Sequence, residues 1–356
     1  MIEIVFGERL DPAKYIAFCR EVYTDKALFR DSGLTNVLGM IFYRRELMPG
    51  NAAISPLMVN SNGELQAACL LMVAQDQPGA LQISYFEARE NCQAAVDLLV
   101  DTARALCRKK GLDRIVIGLD NMVGILIDHF DSPSCYGTRY NPAYYPDYFS
   151  KYHAREHLLT SYLIDLNRYS LAREQKILNR IGARFTCRTA SWRRLGQETG
   201  IYTDLKNRCF TGQPFFALGS PEMNYQMFSS YRSLLSGQNL LILERDGAPA
   251  GYLLWFPDYN QLLKPGEVLS PETIRKYRFY GRAIDRFIIT EIGVLPEYQG
   301  TGAILALFKK CLELTRGQYD WCETGWILDS NIKSKGFGIR WGDAEYKHYK
   351  IYELEA

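Results

Sequence analysis

The fold is decided by residues 284–316, IDRFIITEIGVLPEYQGTGAILALFKKCLELTR. Its first part, Phe287–Val294, is apolar and rich in β-branched residues, which predicts a buried strand. Pro296 interrupts this pattern, because proline has no N–H to donate to a strand ladder. From Ala303 onward the apolar residues recur at helical spacing. The stretch therefore predicts a strand, a tight turn and a helix.

The turn between these two elements is rich in glycine and runs Gln299-Gly300-Thr301-Gly302. A helix N-terminus directs free backbone N–H groups at one point and attracts anions, and glycine lets a phosphate approach the main chain closely. Two well-known phosphate loops do not fit. A P-loop would place Lys-Ser/Thr where Ala303-Ile304 stand, and a dinucleotide fingerprint needs a third glycine.

Val294-Leu295-Pro296 followed by this turn resembles the acyl-CoA loop of the GNAT superfamily of N-acyltransferases. In that loop V-x-P leads into Q/R-x-x-G-x-G/A and a helix; Ile304 departs from the last small residue. The resemblance implies that acetyl-CoA or another acyl-CoA is the co-substrate and is held mainly by backbone amides. The cofactor-binding residues it implies are Ile292, Gly293, Val294, Gln299, Gly300, Thr301, Gly302, Ala303, Ile304 and Asn331.

The end of the chain extends this resemblance. Tyr319–Leu328 predicts one strand, Asp329-Ser330-Asn331 predicts a helix cap, and Tyr346–Tyr352 predicts a last strand. The same order closes GNAT domains, and the tail is similar to that of large two-module bacterial GNAT proteins. In many GNAT enzymes a tyrosine soon after the Asn protonates the CoA thiolate. Here Lys335-Gly336-Phe337-Gly338 contains none.

Glu291 is the predicted catalytic base, which would remove a proton from the amine that attacks the thioester. It lies on the strand that leads into the loop, where members of the family often carry such a glutamate. Burial among apolar neighbours is expected to raise its pKa. The alternative is a structural carboxylate paired with Arg282 or Arg286.

The predicted acid is a tyrosine of the last strand. Because side chains alternate along a strand, Tyr346 and Tyr352 are expected on one face and Tyr349 on the other. Whichever faces the cleft could protonate the thiolate, and Tyr349 is chosen.

The first half of the chain repeats the order of elements found in the second. A strand pair (65–74 and 81–86), a helix at 93–110 capped by Asn91, and a strand at 114–118 follow one another, after an irregular region at 31–62. Where the phosphate turn should lie, Phe86–Asn91 carries two glutamates that would repel phosphate. This half therefore predicts a degenerate GNAT-like module that does not hold CoA.

The boundaries follow from this repeat. Residues 1–167 are expected to form a GNAT-like module without the acyl-CoA loop, and 168–356 the acyltransferase module. The fold class is α+β, with a mixed, mostly antiparallel sheet flanked by helices in each module. The first module would cover or shape the acceptor cleft. A cationic run at 275–282 could meet CoA phosphates, although such runs are more often solvated faces.

A competing motif is His153-Ala154-Arg155-Glu156-His157, which fits the H-x-x-E-H signature of inverted zincins. That signature needs a helix that presents both imidazoles to zinc. The segment runs directly into the strand-like Leu158–Ile164, so no metal site is predicted.

Composition limits the function further. The chain has 356 residues, 47% of them apolar and 23% charged, with a net charge of +2. This balance is typical of a soluble globular protein and predicts neither a nucleic-acid nor a membrane partner. Nine cysteines without a C-x-x-C pair suggest reduced thiols in the cytoplasm, and the start Met1-Ile2-Glu3 does not resemble a signal peptide.

The sequence thus predicts a cytoplasmic, acyl-CoA-dependent N-acyltransferase, with N-acetyl transfer as the first expectation. It would act on the amine of a small-molecule or amino-acid-like acceptor, as a monomer or homodimer. One alternative is a Fem-type transferase that takes its acyl group from aminoacyl-tRNA. The small charge and intact Q-x-x-G turn argue against it. Another is a non-catalytic protein that binds CoA or a metabolite, for which the missing tyrosine and Ile304 argue.

Overall fold

The computed structural model describes residues 2–7, 10–43, 53–74, 77, 79–120, 122–216, 218–232, 234–280, 284–342 and 344–356, with only the backbone at 276–280 and 341. Its strands are β1 (Ile2–Phe6), β2 (Ala53–Ser61), β3 (Glu64–Val73), β4 (Ala80–Ala88), β5 (Arg114–Ile117), β6 (Ile125–Leu126), β7 (Arg155–Asp165), β8 (Phe185–Thr189), β9 (Leu240–Arg245), β10 (Ala248–Pro257), β11 (Arg286–Val294), β12 (Trp321–Thr324), β13 (Ile327–Leu328) and β14 (Ala344–Glu355). Its helices are α1 (Pro12–Glu21), α2 (Leu34–Tyr43), α3 (Gln93–Lys109), α4 (Tyr145–Ser150), α5 (Gln175–Gly182), α6 (Leu195–Phe210), α7 (Pro221–Ser230), α8 (Pro271–Tyr280), α9 (Ile304–Thr315) and α10 (Ile332–Trp341).

A single mixed, mostly antiparallel sheet runs through the described chain in the order β1-β2-β3-β4-β5-β14-β7-β12-β11-β10-β9-β8. The two parallel contacts, β4 with β5 and β11 with β12, each enclose one long helix, α3 or α9. Parallel neighbours need such a crossover. The α+β class and the repeated order of elements are therefore confirmed.

The two halves exchange their last strands. The strand β7 comes from the first half but pairs with β12 of the second, whereas β14 ends the chain and pairs with β5 of the first. Ile164 of β7 lies in the core of the second module, and Tyr352 of β14 lies in that of the first. A cut after residue 167 would therefore separate each core from a strand that it needs.

Local differences from the sequence predictions have physical causes. The described part of 31–62, predicted to be irregular, contains α2, whose Val37, Leu38 and Ile41 are buried, and β2; residues 44–52 lie outside the described residues. Tertiary burial outweighs the weak helix propensity of this β-branched segment. Asn91 does not cap α3. It takes a left-handed conformation (φ 60°), and Cys92 is the residue before the helix.

Two further elements differ in extent. The predicted strand 319–328 is two short strands, β12 and β13, separated at Gly325-Trp326. Much of the cationic run 275–282 lies outside the described side chains. Among the helices that the structure describes, none has the length and hydropathy required to cross a bilayer.

Candidate active site

The site begins where β11 and β12 separate. The two strands pair in parallel from Arg286 with Trp321 to Ile289 with Thr324. Gly325 N–H then donates to Ile289 O at 2.7 Å, and the chain turns away so that β13 pairs with β7 instead. A Cβ at 325 would lie only 2.8 Å from Thr290 O, so glycine permits this approach. Beyond Ile289, one edge of β11 has no strand partner among the residues that the structure describes.

The free edge of β11 exposes alternate backbone groups. Leu295 N–H donates to Ala250 O of β10 at 2.9 Å. Since strand groups alternate in direction, Gly293 also bonds toward β10, and the N–H groups of Ile292 and Val294 point toward the gap. Gln299 Nε2 donates to Val294 O at 3.3 Å from that side. The gap therefore offers backbone donors suited to a carbonyl or amide ligand.

The predicted loop has the conformation that anion binding requires. Gly300 and Gly302 have φ of 75° and 89°, which favour glycine. A Cβ at Gly302 would also lie 2.6 Å from Ile177 of α5. Within the described part of the chain, the N–H groups of both glycines lack an acceptor. At the start of α9, Ala303 N–H donates to Thr301 Oγ1 at 3.3 Å and Leu305 N–H donates to Gly302 O at 2.9 Å. Within the described part of the chain, the N–H group of Ile304 also lacks an acceptor, so it is available to an anion together with those of the two glycines.

The side chains around the loop are compatible with this use. Ile304, the departure from the family pattern, packs against the core of the second module, and Ala303 is buried. Lys333 Nζ lies 3.4 Å from Gln299 Oε1 and adds a cation beside the loop. Asn331 is a helix cap, since its side chain accepts from Ser334 N–H at 3.1 Å.

Glu291 is held by three side chains. Its Oε2 accepts from the Tyr202 hydroxyl at 2.8 Å and from the Tyr252 hydroxyl at 3.0 Å. Its Oε1 accepts from Lys206 Nζ at 2.7 Å. The Glu291 side chain as a whole keeps about a quarter of its surface exposed (26%). It is thus fixed in position and still accessible from one side.

The prediction that the pKa of Glu291 is raised is wrong. Burial would raise this pKa, but the charge of Lys206 and the three hydrogen bonds outweigh burial, so the pKa is lowered. Of the two arginine partners considered for Glu291, Arg286 is wrong and Arg282 is not tested. Arg286 pairs with Asp258 at 2.7 Å and Glu323 at 3.5 Å, and Arg282 lies outside the described residues.

Tyr202 and Lys206 were not predicted from the sequence. They lie on α6, one helical turn apart, on the face that packs over Tyr252 and Glu291. The helix buries Glu198, Thr199 and Thr203 as well as apolar residues, so its hydrophobic period is weak. Tyrosine and lysine at (i, i+4) within a predicted helix would have been the only local signal.

Tyr349 lies in a different cluster from Glu291. It is buried among Leu159, Leu328 and Ile351. Burial raises the pKa of its phenol, which stays protonated at neutral pH. Its hydroxyl makes no hydrogen bond within the described chain. The structure therefore does not bring the predicted acid into contact with the predicted base.

The other two tyrosines of β14 do not share a face as predicted. The register shifts between Glu345 and His348. Tyr346 consequently contacts Ser132 and His129, whereas Tyr352 packs in the core of the first module. An inserted residue reverses the alternation on which the prediction depended.

The missing tyrosine after Asn331 has a packing explanation. A side chain at Gly338 of α10 would overlap the ring of Tyr162 on β7, and Gly342 contacts the same ring closely. The exchanged strand therefore occupies the space that a side chain at 338 would need.

In the first module, β4 and β5 separate in the same way, but side chains fill the gap between them. The last parallel pair is Ile83 with Ile117. Just beyond it, the Ser84 hydroxyl donates to Leu119 O at 2.8 Å, and Tyr85 N–H donates to Asp120 Oδ2 at 3.0 Å. At this gap, the backbone N–H group of Tyr85 and the Ser84 hydroxyl thus both have internal acceptors.

Two charged groups complete this filling. Arg139 donates to Asp120, and both side chains are almost fully buried. Glu87 accepts from the hydroxyls of Tyr23 (3.0 Å) and Tyr145 (2.6 Å). Burial raises the pKa of Glu87 to about 7 against the opposing effect of Arg139. A cavity of about 30 Å³ remains here, lined among others by Tyr23, Glu87, Asp120 and Arg139.

The H-x-x-E-H segment is not helical. His153 lies in a turn with φ 52°, and His157 lies on β7, 3.7 Å from Glu353. Two imidazoles on a turn and a strand do not have the spacing of a zincin helix. In the described chain, no cluster of three or more His, Cys, Asp or Glu could hold a metal ion.

Comparisons with known proteins identify the fold. Neither a protein-family model nor a curated protein matches the sequence. Solved structures do match. A tandem GNAT protein from the clavulanic acid biosynthesis pathway aligns over 100% of this chain and 98% of its own, with 14% identity and a TM-score of 0.56.

Two further structures agree. A GCN5-related glucosamine N-acetyltransferase region of a fungal multi-domain β-N-acetylglucosaminidase aligns over 99% of this chain and 38% of its own (15% identity, TM-score 0.60). A GCN5-related N-acetyltransferase from Sphaerobacter thermophilus aligns over 99% and 95% (15% identity, TM-score 0.51). The chain therefore has the GNAT fold. More specifically, it has the tandem form, with two such units in one chain, as the sequence predicted.

Proposed function

We propose that the second module binds an acyl-CoA, acetyl-CoA being the simplest, and transfers its acyl group to the amine of a small-molecule or amino-acid-like acceptor. The observation that carries the proposal is the open gap between β11 and β12. It joins the strand edge at Ile292 and Val294 to the glycine turn before α9, where the N–H groups of Gly300 and Gly302 have no acceptor within the described chain. A pantetheine arm needs such an edge, and a pyrophosphate needs such a turn.

Glu291 is the proposed base. A base must be ionised to accept a proton, and the lowered pKa keeps this carboxylate ionised at neutral pH. Its two tyrosine hydroxyls fix its direction. The acceptor would enter from the side of α6, where part of the carboxylate is exposed.

Tyr349 is the proposed acid for the CoA thiolate. Its phenol is protonated and unpaired, and Leu328, close before the Asn331 cap, packs in the same cluster. Tyr349→Phe should lower kcat with CoA affinity unchanged. Stability should stay equal or rise, because the lost hydroxyl is buried without a partner. Unchanged kcat in Tyr349→Phe would remove this residue from the mechanism.

The proposal is tested by calorimetric titration with acetyl-CoA and longer acyl-CoAs. Gly302→Glu should abolish binding, but it also strains a positive φ and clashes with α5. Thr301→Glu and Thr301→Gln therefore form a matched pair: Thr301 is exposed, and both variants lose the same hydroxyl. The glutamate alone should weaken binding about tenfold or more, by repelling phosphate.

A screen of amines that detects released thiol then separates an enzyme from a binding protein. Thiol release with one class of amine supports transfer. Binding of acyl-CoA without thiol release would indicate a non-catalytic protein, and no binding of any acyl-CoA would overturn the proposal.

A further inference from the structure

The face of α6 over the gap presents three side chains in order. Tyr202, Lys206 and Cys209 stand at i, i+4 and i+7, which share one helical face. Tyr202 bonds Glu291 at 2.8 Å. Cys209 lies over Gly293, where an added Cβ would come within 3.0 Å of its Sγ. On this face, Lys206 therefore lies between Tyr202, which bonds Glu291, and Cys209, which lies over Gly293. Ile292 is the residue of β11 between those two contacts.

Lys206 Nζ occupies the place that an acceptor amine must take. A base removes a proton only from a group within about 2.6–3.2 Å, and Nζ lies 2.7 Å from Glu291 Oε1. The Tyr202 hydroxyl, 3.3 Å away, also holds this ammonium. Ile292, whose N–H points into the gap, lies on the same short stretch of β11. An acyl thioester bound there would meet an amine that is already positioned.

We propose that Lys206 is itself an acyl acceptor, so that the protein acylates this side chain when acyl-CoA is bound and no external amine is present. The inference rests on the proposed function of the second module. Glu291 takes one proton from the Lys206 ammonium. The free amine attacks the thioester carbon, the N–C bond forms and the C–S bond breaks. The second amine proton leaves with the CoA thiolate, so the products are an Nε-acyl-lysine and free CoA.

This modification would change the site that produced it. An amide carries no charge, so acylated Lys206 cannot form the ion pair with Glu291. An amide is also too stable to pass its acyl group onward, so the product would persist rather than act as an intermediate. Acylation at 206 would thus mark protein that had turned over acyl-CoA without an acceptor.

The test is incubation of the whole protein with acetyl-CoA alone, followed by peptide mass spectrometry over time. One acetyl group should accumulate at Lys206. Lys309 is the matched control: its side chain is 55% exposed, against 22% for Lys206. Chemical acetylation by free acetyl-CoA favours the exposed lysine. Acetylation of Lys206 at least roughly tenfold faster than Lys309 would show that the site positions it.

Variants and chemistry separate the outcomes. Glu291→Gln and Thr301→Glu should both suppress the modification at 206 and leave that at 309 unchanged. The acetyl group should resist hydroxylamine, as an amide does; a hydroxylamine-labile group on Cys209 would overturn the inference. Calorimetric binding of acetyl-CoA without acetylation of Lys206 would overturn it too, while the proposed function stands. Absence of binding would overturn both.

Discussion

Glu87 and Glu291 lie on corresponding strands of the two modules. Each strand pairs antiparallel with the strand before it and parallel with the strand after the next long helix. Each carboxylate accepts hydrogen bonds from two tyrosine hydroxyls, Tyr23 and Tyr145 in the first module. The local hydrogen-bonding environments are therefore closely alike.

Their pKa values nevertheless move in opposite directions. Burial raises the pKa of Glu87 to about 7, because the nearby cation, Arg139, is bonded to Asp120. Burial also acts on Glu291, but Lys206 bonds this carboxylate directly and the pKa is lowered. A single contacting ammonium thus separates a carboxyl group that titrates near neutral pH from one that is ionised there.

The same contrast applies to the gaps beside the two strands. In the first module, Asp120 accepts the N–H of Tyr85 and leaves only a small cavity. In the second, the N–H groups of Gly300 and Gly302 have no acceptor within the described chain, and the edge of β11 beyond Ile289 has no strand partner there. We infer that the first module has kept the scaffold but no longer binds a cofactor, and that it serves the second module by supplying β7.

The largest expected effect separates the two carboxylates by activity. Glu291→Gln should lower kcat with the amine found by screening by about 10²–10⁴-fold, as for the loss of a general base. Acyl-CoA affinity, which depends on backbone groups, should be unchanged. Glu87→Gln is the matched control and should leave kcat within about twofold. Equal losses in both variants would show that Glu291 has only a structural role.

The next effect concerns the filled gap. Asp120→Ala leaves buried Arg139 without its partner, and breaking a buried pair costs about 3–5 kcal/mol. Urea denaturation should detect this loss. Asp101→Ala removes an exposed ion pair with Arg104 and should have little effect. The Asp120 variant should still not bind acetyl-CoA at the first module, and a second binding site appearing in calorimetry would contradict the inferred loss of that function.

The sequence predicted the site unevenly, for physical reasons. Strong local periodicity predicted β11 and α9. The two glycines predicted the turn, and both have a positive φ in the structure. The partner of Glu291 could not be found locally, because Lys206 lies 85 residues away on a helix whose buried face is partly polar.

The exchange of the last strands could not be predicted from the sequence either. The alternation of side chains along β7 and β14 fits either half of the continuous sheet. Their positions are decided by long-range pairing, such as that of Cys322 with Ile164 and Glu353 with Val116. The division predicted at residue 167 stays a prediction, whereas the structure shows that each core includes a strand from the other half of the chain.

A smaller effect links Glu87 to the pH dependence of stability. Its pKa is about 7 in the folded protein and 4.5 when exposed, a difference that corresponds to about 3 kcal/mol. Because the folded value is raised, the stabilisation is complete below 4.5 and is lost as pH rises through 7. Melting temperatures should fall over this window more steeply in the wild type than in Glu87→Gln. Parallel curves would contradict the raised pKa.

The smallest effect tests why the two carboxylates differ. Lys206→Met removes the ammonium that lowers the pKa of Glu291, and burial then acts unopposed by a charge. Since the base works only when ionised, the acid limb of kcat/KM should move to higher pH. Lys309→Met, which alters only an exposed pair with Glu313, should leave the limb in place. If Lys206→Met also leaves it unchanged, the contrast between the modules arises from burial and tyrosine hydrogen bonds rather than from the lysine.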